Sequence, residues 1–135
     1  MKILITGKNG QLGSELHDLK KTYPQYEMVF VDREQMDLSN PIQITADLVK
    51  ELPNIIVSAG AYTAVDKAET DQELCDAVNH LAVKTMGTWA AENNAKVIHI
   101  STDYVFDGTS SVPLKETDTT APINVYGLTK LKGEE

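Results

Sequence analysis

Lys2-Ile3-Leu4-Ile5-Thr6 runs directly into Gly7-Lys8-Asn9-Gly10-Gln11-Leu12-Gly13, an apolar stretch followed by three glycines at GxxGxxG spacing. Each glycine has its own physical use. Gly7 permits a tight turn after a strand, Gly10 lets backbone approach a pyrophosphate, and Gly13 lets the next helix pack closely on the strand. The N-terminus of that helix offers unpaired N–H groups and a partial positive charge to phosphates. The spacing is one residue longer than the GxGxxG dinucleotide fingerprint, and glycines also simply end strands. The context is what gives it weight: a strand before, a helix after, and an acid, Asp32, about 20 residues further on. Gly7, Gly10 and Gly13 therefore read as a cradle for a dinucleotide.

Asp32 closes the second apolar run, Met28–Val31. A carboxylate there would accept hydrogen bonds from the adenosine ribose hydroxyls, which favours NADH. Its neighbour Arg33 would instead meet a 2′-phosphate, which favours NADPH. The two residues point opposite ways, so NADPH and NADH both stand.

Further along, the pattern alternates. Leu12, Leu16 and Leu19 give a helical spacing over Gln11–Tyr23, and Pro41 opens a helix through Glu51 with Ile42, Ile44 and Leu48 inward. Asn54–Ser58 is a third apolar run. A longer helix is expected from about Asp71 to Asn93, with Leu74, Val78, Leu81, Met86 and Trp89 inward, and Lys96–Ile100 is a fourth run. These short Ile- and Val-rich runs lack polar alternation, so they read as strands buried on both faces. The helices between them imply right-handed βαβ crossovers. The expected class is α/β, a doubly wound parallel sheet of Rossmann-like type. A full sheet of that kind has six strands. The four here are expected to be the N-terminal portion (residues 1–135) of an NAD(P)-binding domain, incomplete on its C-terminal side and lacking a substrate domain. Thr102–Pro122 is a long polar loop, of a length that usually carries function. A helix then begins near Val125.

The composition narrows the classes. The 135 residues are 41% hydrophobic and 24% charged, as expected of one globular domain. A net charge of −8 argues against nucleic acid or an anionic membrane surface as a partner. The single cysteine, Cys75, gives neither a disulfide nor metal-ligand spacing, which suits a reducing cytoplasm. No apolar run approaches the ~20 residues of a membrane span.

Tyr126 and Lys130 lie four apart and would share a face of the final helix. An ammonium beside a phenol stabilises phenolate, and such a tyrosine can exchange a proton with a carbonyl or alcohol oxygen. With five tyrosines present, the spacing alone means little. Its place matters more: it follows the fourth strand and Ser101-Thr102. Ligands of open parallel sheets sit beyond the carboxyl ends of the strands. There the Thr102 hydroxyl could polarise the oxygen that Tyr126 protonates, although before Asp103 it could also simply start a turn.

The glycine turn with this threonine, tyrosine and lysine resembles the extended short-chain dehydrogenase/reductase superfamily. Three stretches are more specific: Ser58-Ala59-Gly60-Ala61-Tyr62-Thr63-Ala64-Val65-Asp66-Lys67-Ala68-Glu69, Ser101-Thr102-Asp103-Tyr104-Val105-Phe106-Asp107-Gly108, and Asn124-Val125-Tyr126-Gly127-Leu128-Thr129-Lys130. They closely resemble the dTDP-4-dehydrorhamnose reductase family, and the resemblance spans the whole chain. It implies reduction of the C4 carbonyl of dTDP-4-dehydro-L-rhamnose by NADPH or NADH to dTDP-L-rhamnose. Thr102, Tyr126 and Lys130 would be the catalytic trio, the last two also touching the cofactor. Gly10, Gln11 and Leu12 would meet the pyrophosphate, Asp32 the ribose, and Asp37 and Leu38 the adenine. Ala59, Gly60, Ala61, Tyr62 and Thr63 would line the cofactor. Thr63, Val65, Thr102 and Asp103 would face the sugar nucleotide. Gly60 departs from the alanine more usual in the family.

Several features have plainer readings. Asp66 and Glu69 resemble a helix N-cap with an acid in the first turn. Asn79 matches a structural asparagine of the superfamily, yet a mid-helix asparagine is commonly just solvent-exposed. Some members bind Mg²⁺ through glutamates, with Glu15 in a matching position; one glutamate makes no site, and no metal is expected. The expected assembly is a monomer or homodimer. The first alternative is a sugar-nucleotide 4-epimerase or dehydratase, although dehydratases follow the threonine with Asp-Glu and here Tyr104 follows Asp103. The second is a non-catalytic subunit, like the regulatory subunit of methionine adenosyltransferase, which has the same fold. If 135 residues were the entire product, no reductase activity is expected, because half the sugar-nucleotide pocket would be missing.

Overall fold

The computed structural model describes residues 1–135. Strands β1 (Lys2–Thr6), β2 (Glu27–Val31), β3 (Ile55–Ser58) and β4 (Lys96–His99) form one parallel sheet in the order β2-β1-β3-β4. From β1 the chain steps outward to β2, then crosses back over β1 to reach β3. Right-handed crossovers in opposite directions put their helices on opposite faces. On one face lies α1 (Gln11–Leu19), where His17 meets Phe30 edge-on at 5.1 Å. On the other lie α2 (Pro41–Glu51) and α5 (Ala82–Glu92), closing a core of Leu4, Ile44, Leu48, Ile56, Met86 and Trp89. The α/β doubly wound reading therefore holds.

The strands depart from burial on both faces. Phe30, Ile5, Val57 and Ile98 are register partners and share the α1 face. One nine-residue helix cannot roof four strands, so its cover fails toward β4, where Ile98 is 51% and Ile100 42% exposed. Likewise α1 stops at Leu19, short of Tyr23, and leaves Leu12 and Leu19 exposed. Tyr23 precedes Pro24, whose ring disfavours a helical conformation one residue before it.

Helix α2 matches its expected bounds. The Asn40 side chain accepts hydrogen bonds from the Ile42 and Gln43 N–H groups, Pro41 sits in the first turn, and Leu52 ends the helix at φ 48°. Ile42, expected inward, is 82% exposed.

The helix expected over Asp71–Asn93 is broken into α4 (Gln72–Asp76), a π turn (Ala77–Leu81) and α5. The wider turn rotates the faces, so Leu81 is exposed while Asn79 is fully buried. Two short pieces complete the chain before the last helix: α3 (Val65–Ala68) and a 3₁₀ turn (Asp103–Val105). Helix α6 (Val125–Glu134) packs on α4, the π turn and the 3₁₀ turn.

Candidate functional site

Because the four strands are parallel, all their carboxyl ends open onto one edge. The loops leaving that edge carry Gly7, Asp32, Ala59–Thr63 and Ser101–Thr102. The glycine turn is tight. Gly7 has φ 71°, and a Cβ on it would stand 2.7 Å from the Gly60 Cα. A Cβ on Gly13 would overlap the Gly7 carbonyl, so α1 starts closer to β1 than any side chain permits. Gly10 is the N-cap and provides no side-chain acceptor to the first turn. By contrast, Asn40 caps α2, and Asn124 caps α6 by accepting from the Gly127 N–H at 2.7 Å. The first-turn N–H groups of α1 are left for a ligand, and phosphate is the anion that suits them.

Beside this turn lies a cavity of about 340 Å³, lined among others by Gly7, Asp32, Arg33, Asp37, Leu38 and Gly60. The Gly60 N–H donates to Thr6 Oγ1 at 3.0 Å, and the small Gly60 and Ala61 form part of the cavity wall. Asp37 accepts from the Ser39 N–H and hydroxyl at 2.9 and 2.7 Å, which holds its carboxyl below the usual range. Asp32 is already engaged. Its carboxylate pairs with Lys8 Nζ at 2.8 Å and accepts from the Glu34 and Gln35 N–H groups at 3.1 and 3.3 Å. Lys8 is the chief reason its carboxyl titrates below the usual range. Lys8 escaped the sequence reading because nothing local shows that a loop lysine reaches across to the end of β2.

The β3 loop is held from below. Asn79 accepts from the Tyr62 N–H at 2.8 Å and donates to the Tyr62 carbonyl at 3.0 Å, completing an amide-to-backbone clamp. It also donates to Thr129 Oγ1 at 3.3 Å, tying the loop to α6, while Thr129 meets the buried Cys75 at 3.2 Å. The solvent-exposed reading of Asn79 is therefore wrong. The π turn is what aims its amide inward, and no sequence signal announces a π turn. The Tyr62 hydroxyl donates to Asp71 at 3.2 Å, and burial raises the phenol's pKa. Replacing Asn79 with Leu leaves these partners without their amide. We expect a loss of about 2–4 kcal/mol in denaturant unfolding.

Thr63 is exposed and Val65 half-buried, on the run between β3 and α3. The N-cap reading of Asp66 and Glu69 needs correction: Ala64 holds the cap position, and Asp66 lies inside the first turn. Glu69 instead accepts from the Val125 N–H at 2.9 Å, anchoring the start of α6.

At the end of β4, Thr102 caps the 3₁₀ turn. Its hydroxyl donates to Asp103 at 3.1 Å and accepts from the Tyr104 N–H at 3.3 Å. Gly127 lies so close to this turn that a Cβ would overlap the Tyr104 carbonyl. The Tyr126 ring therefore stands edge-on to Tyr104 at 5.5 Å. The turn that Thr102 caps thus packs on α6 through Tyr104 and Tyr126, with Asp103 exposed on it.

Lys130 behaves differently. It is 2% exposed and hydrogen-bonds to His99 Nε2 at 3.0 Å and to the Ile100 carbonyl, rather than to Tyr126. An ammonium this buried needs acceptors, and the end of β4 supplies them. Burial lowers its pKa.

His99 was missed in the sequence, where it reads as one more strand position. Its pKa is pushed down to about 4, first by burial and then by the Lys130 charge. As pH falls, the unfolded chain takes up this proton first. The stability His99 contributes is therefore complete above its ordinary 6.5 and is lost as pH falls toward 4. Thermal melts of a His99→Gln variant should fall less steeply than the parent across that window.

Glu15 on α1 is exposed, and no cluster of three His, Cys, Asp or Glu forms in the chain. No helix is long and apolar enough to cross a membrane.

An open parallel sheet with helices on both faces and a glycine turn under an uncapped helix defines the Rossmann-like α/β class. The chain belongs to the RmlD substrate binding domain family, which matches residues 1–135. It is 44% identical over its whole length to dTDP-4-dehydrorhamnose reductase of Salmonella typhimurium, covering 46% of that protein. A crystal structure of a dTDP-4-dehydrorhamnose reductase from Clostridium acetobutylicum superposes with TM-score 0.94 at 39% identity, over 99% of this chain and 48% of the other. The Bacillus anthracis dTDP-4-dehydrorhamnose reductase in complex with NADP superposes with TM-score 0.91 at 35% identity, over 98% and 47% of the two chains. The chain spans about half the length of the curated relatives it matches.

Proposed function

We propose that the chain is the dinucleotide-binding part of an NAD(P)H-dependent reductase. Its reaction turns the C4 carbonyl of dTDP-4-dehydro-L-rhamnose into the alcohol of dTDP-L-rhamnose. What supports this reading is that the uncapped N-terminus of α1 and the turn capped by Thr102 both follow carboxyl ends of the parallel strands, with the Tyr126 ring packed on that turn through Tyr104. Relatives named dTDP-4-dehydrorhamnose reductase supply the substrate, and the one solved with NADP supplies the cofactor class.

The fit of a dinucleotide rests on the glycines, since Cβ atoms at Gly7 and Gly13 would close the cradle. Gly10, Gln11 and Leu12 would hold the pyrophosphate, Asp37 and Leu38 the adenine, and Ala59–Thr63 the face toward the nicotinamide. Asp32 would lie at the ribose together with Arg33 and Lys8. The reduced nicotinamide supplies a hydride when bound. The chain supplies the proton and the polarisation. Thr102 donates a hydrogen bond to the substrate carbonyl oxygen, swinging from Asp103 to do so. Tyr126 gives its hydroxyl proton to the same oxygen. The Lys130 ammonium stabilises the negative charge left on the tyrosine, and Thr63, Val65 and Asp103 face the sugar nucleotide. The protein would work in the cytoplasm as a monomer or homodimer.

The test is NADPH and NADH oxidation by the complete gene product with dTDP-4-dehydro-L-rhamnose. Substrate-dependent oxidation is expected. A purified protein that carries one tightly bound NAD⁺ and oxidises neither cofactor would replace this reading with the epimerase one.

A further inference from the structure

Lys130 is the largest fully buried side chain in the protein, and it is charged. Nothing in the reduction chemistry proposed above accounts for where its ammonium is held. We propose that His99, on β4, is the positioning residue for Lys130: a neutral imidazole that fixes the ammonium at the carboxyl end of β4. The inference deepens the proposed reductase reading and rests on it for its catalytic consequence.

A protonated Lys130 leaves one tautomer. Lys130 Nζ, 3.0 Å from His99 Nε2, has only donors to offer, so Nε2 must present its lone pair. The ring proton then sits on Nδ1 and is donated to Ser58 Oγ at 3.2 Å. Ser58 is itself buried at the end of β3. A relay Lys130–His99–Ser58 thus runs across two adjacent strands beneath the site. The Ile100 carbonyl takes a second ammonium proton. Two of three donors are fixed, and the third is free for the tyrosine one helical turn back or for a ligand hydroxyl. A carboxylate in place of His99 would pull the ammonium into a tight ion pair; a neutral acceptor orients it while leaving its charge available.

Other ionisable groups surround this relay. From α6, Glu134 lies one turn after Lys130 and accepts from Ser101, and Tyr126 lies one turn before. From α4 come Cys75, bonded to Thr129, and Asp76, which pairs with Lys132 and His80 at 3.2 Å each. Lys84 of α5 lines the same side of β4. Only His99 touches the Lys130 nitrogen through a side chain.

The test uses the complete gene product with isotope-labelled lysine, so that the Lys130 titration is read by NMR without turnover. In His99→Leu the ammonium loses an acceptor, and its pKa should drop by about one unit. The alkaline limb of the kcat/KM profile should move down by the same amount. His99→Gln, whose carbonyl oxygen can accept, should restore both. A purely structural histidine would lower activity at every pH and leave the limb in place. An unmoved Lys130 titration in His99→Leu, or a Gln variant no better than Leu, overturns the proposal. If His99→Leu does not fold, Ser58→Ala should shift the Lys130 titration downward, and no shift there also overturns it. The NMR readout stands apart from the reductase reading: a shifted lysine in a protein that reduces nothing would refute that function and keep the relay.

Discussion

Tyr126→Phe should abolish reduction while leaving cofactor binding intact. The substitution removes one oxygen and keeps the ring that packs edge-on against Tyr104, so the fold has no reason to change. The proton that must reach the substrate oxygen then has no donor of its own, and general-acid catalysis of this kind contributes ~10²–10⁴-fold. We expect kcat to fall by about that factor, with the Kd for NADPH within about twofold of the parent. Rapid-mixing assays and fluorescence titration measure the two quantities separately. Turnover unchanged in Tyr126→Phe would remove the phenol from the mechanism.

The second large effect is expected at Gly13. Its Cβ would overlap the Gly7 carbonyl, which belongs to the backbone of the turn and has no rotamer to adopt. Gly13→Val must therefore push α1 off the turn. Overpacking of this kind costs about 1–3 kcal/mol of stability. It also moves the helix N-terminus whose unpaired N–H groups await a phosphate, so affinity for NADPH should fall by about tenfold or more. Gly60→Ala is a milder contrast, because its Cβ would meet mainly the movable tip of Leu38, 2.8 Å away. Calorimetry on the two variants should rank them in that order.

What could be read from the sequence was what local chemistry dictates. The four strands follow from short apolar runs, α2 from a proline that opens a helical spacing, and the cradle from glycines placed between a strand and a helix. The parts that could not be read depend on distant partners. Leu12, Leu19 and Ile98 look like core, yet their burial depends on how much of the sheet one helix covers. Asn79 looks like surface until a π turn rotates it inward toward Tyr62. The Tyr126–Lys130 spacing placed both residues on one helix face. It could not show that the ammonium would be drawn to His99 and the Ile100 carbonyl on β4. Lys8 on Asp32 is the same kind of case, a loop cation reaching the end of the neighbouring strand.

Isotope tracing tests the central claim most directly. The complete gene product is incubated with dTDP-4-dehydro-L-rhamnose and NADPH deuterated at the transferable position, and the product is analysed by mass spectrometry and NMR. The account predicts one deuterium on C4 of dTDP-L-rhamnose, and its loss from the product pool in Tyr126→Phe. Cofactor that keeps its deuterium while the sugar nucleotide stays a ketone would contradict it.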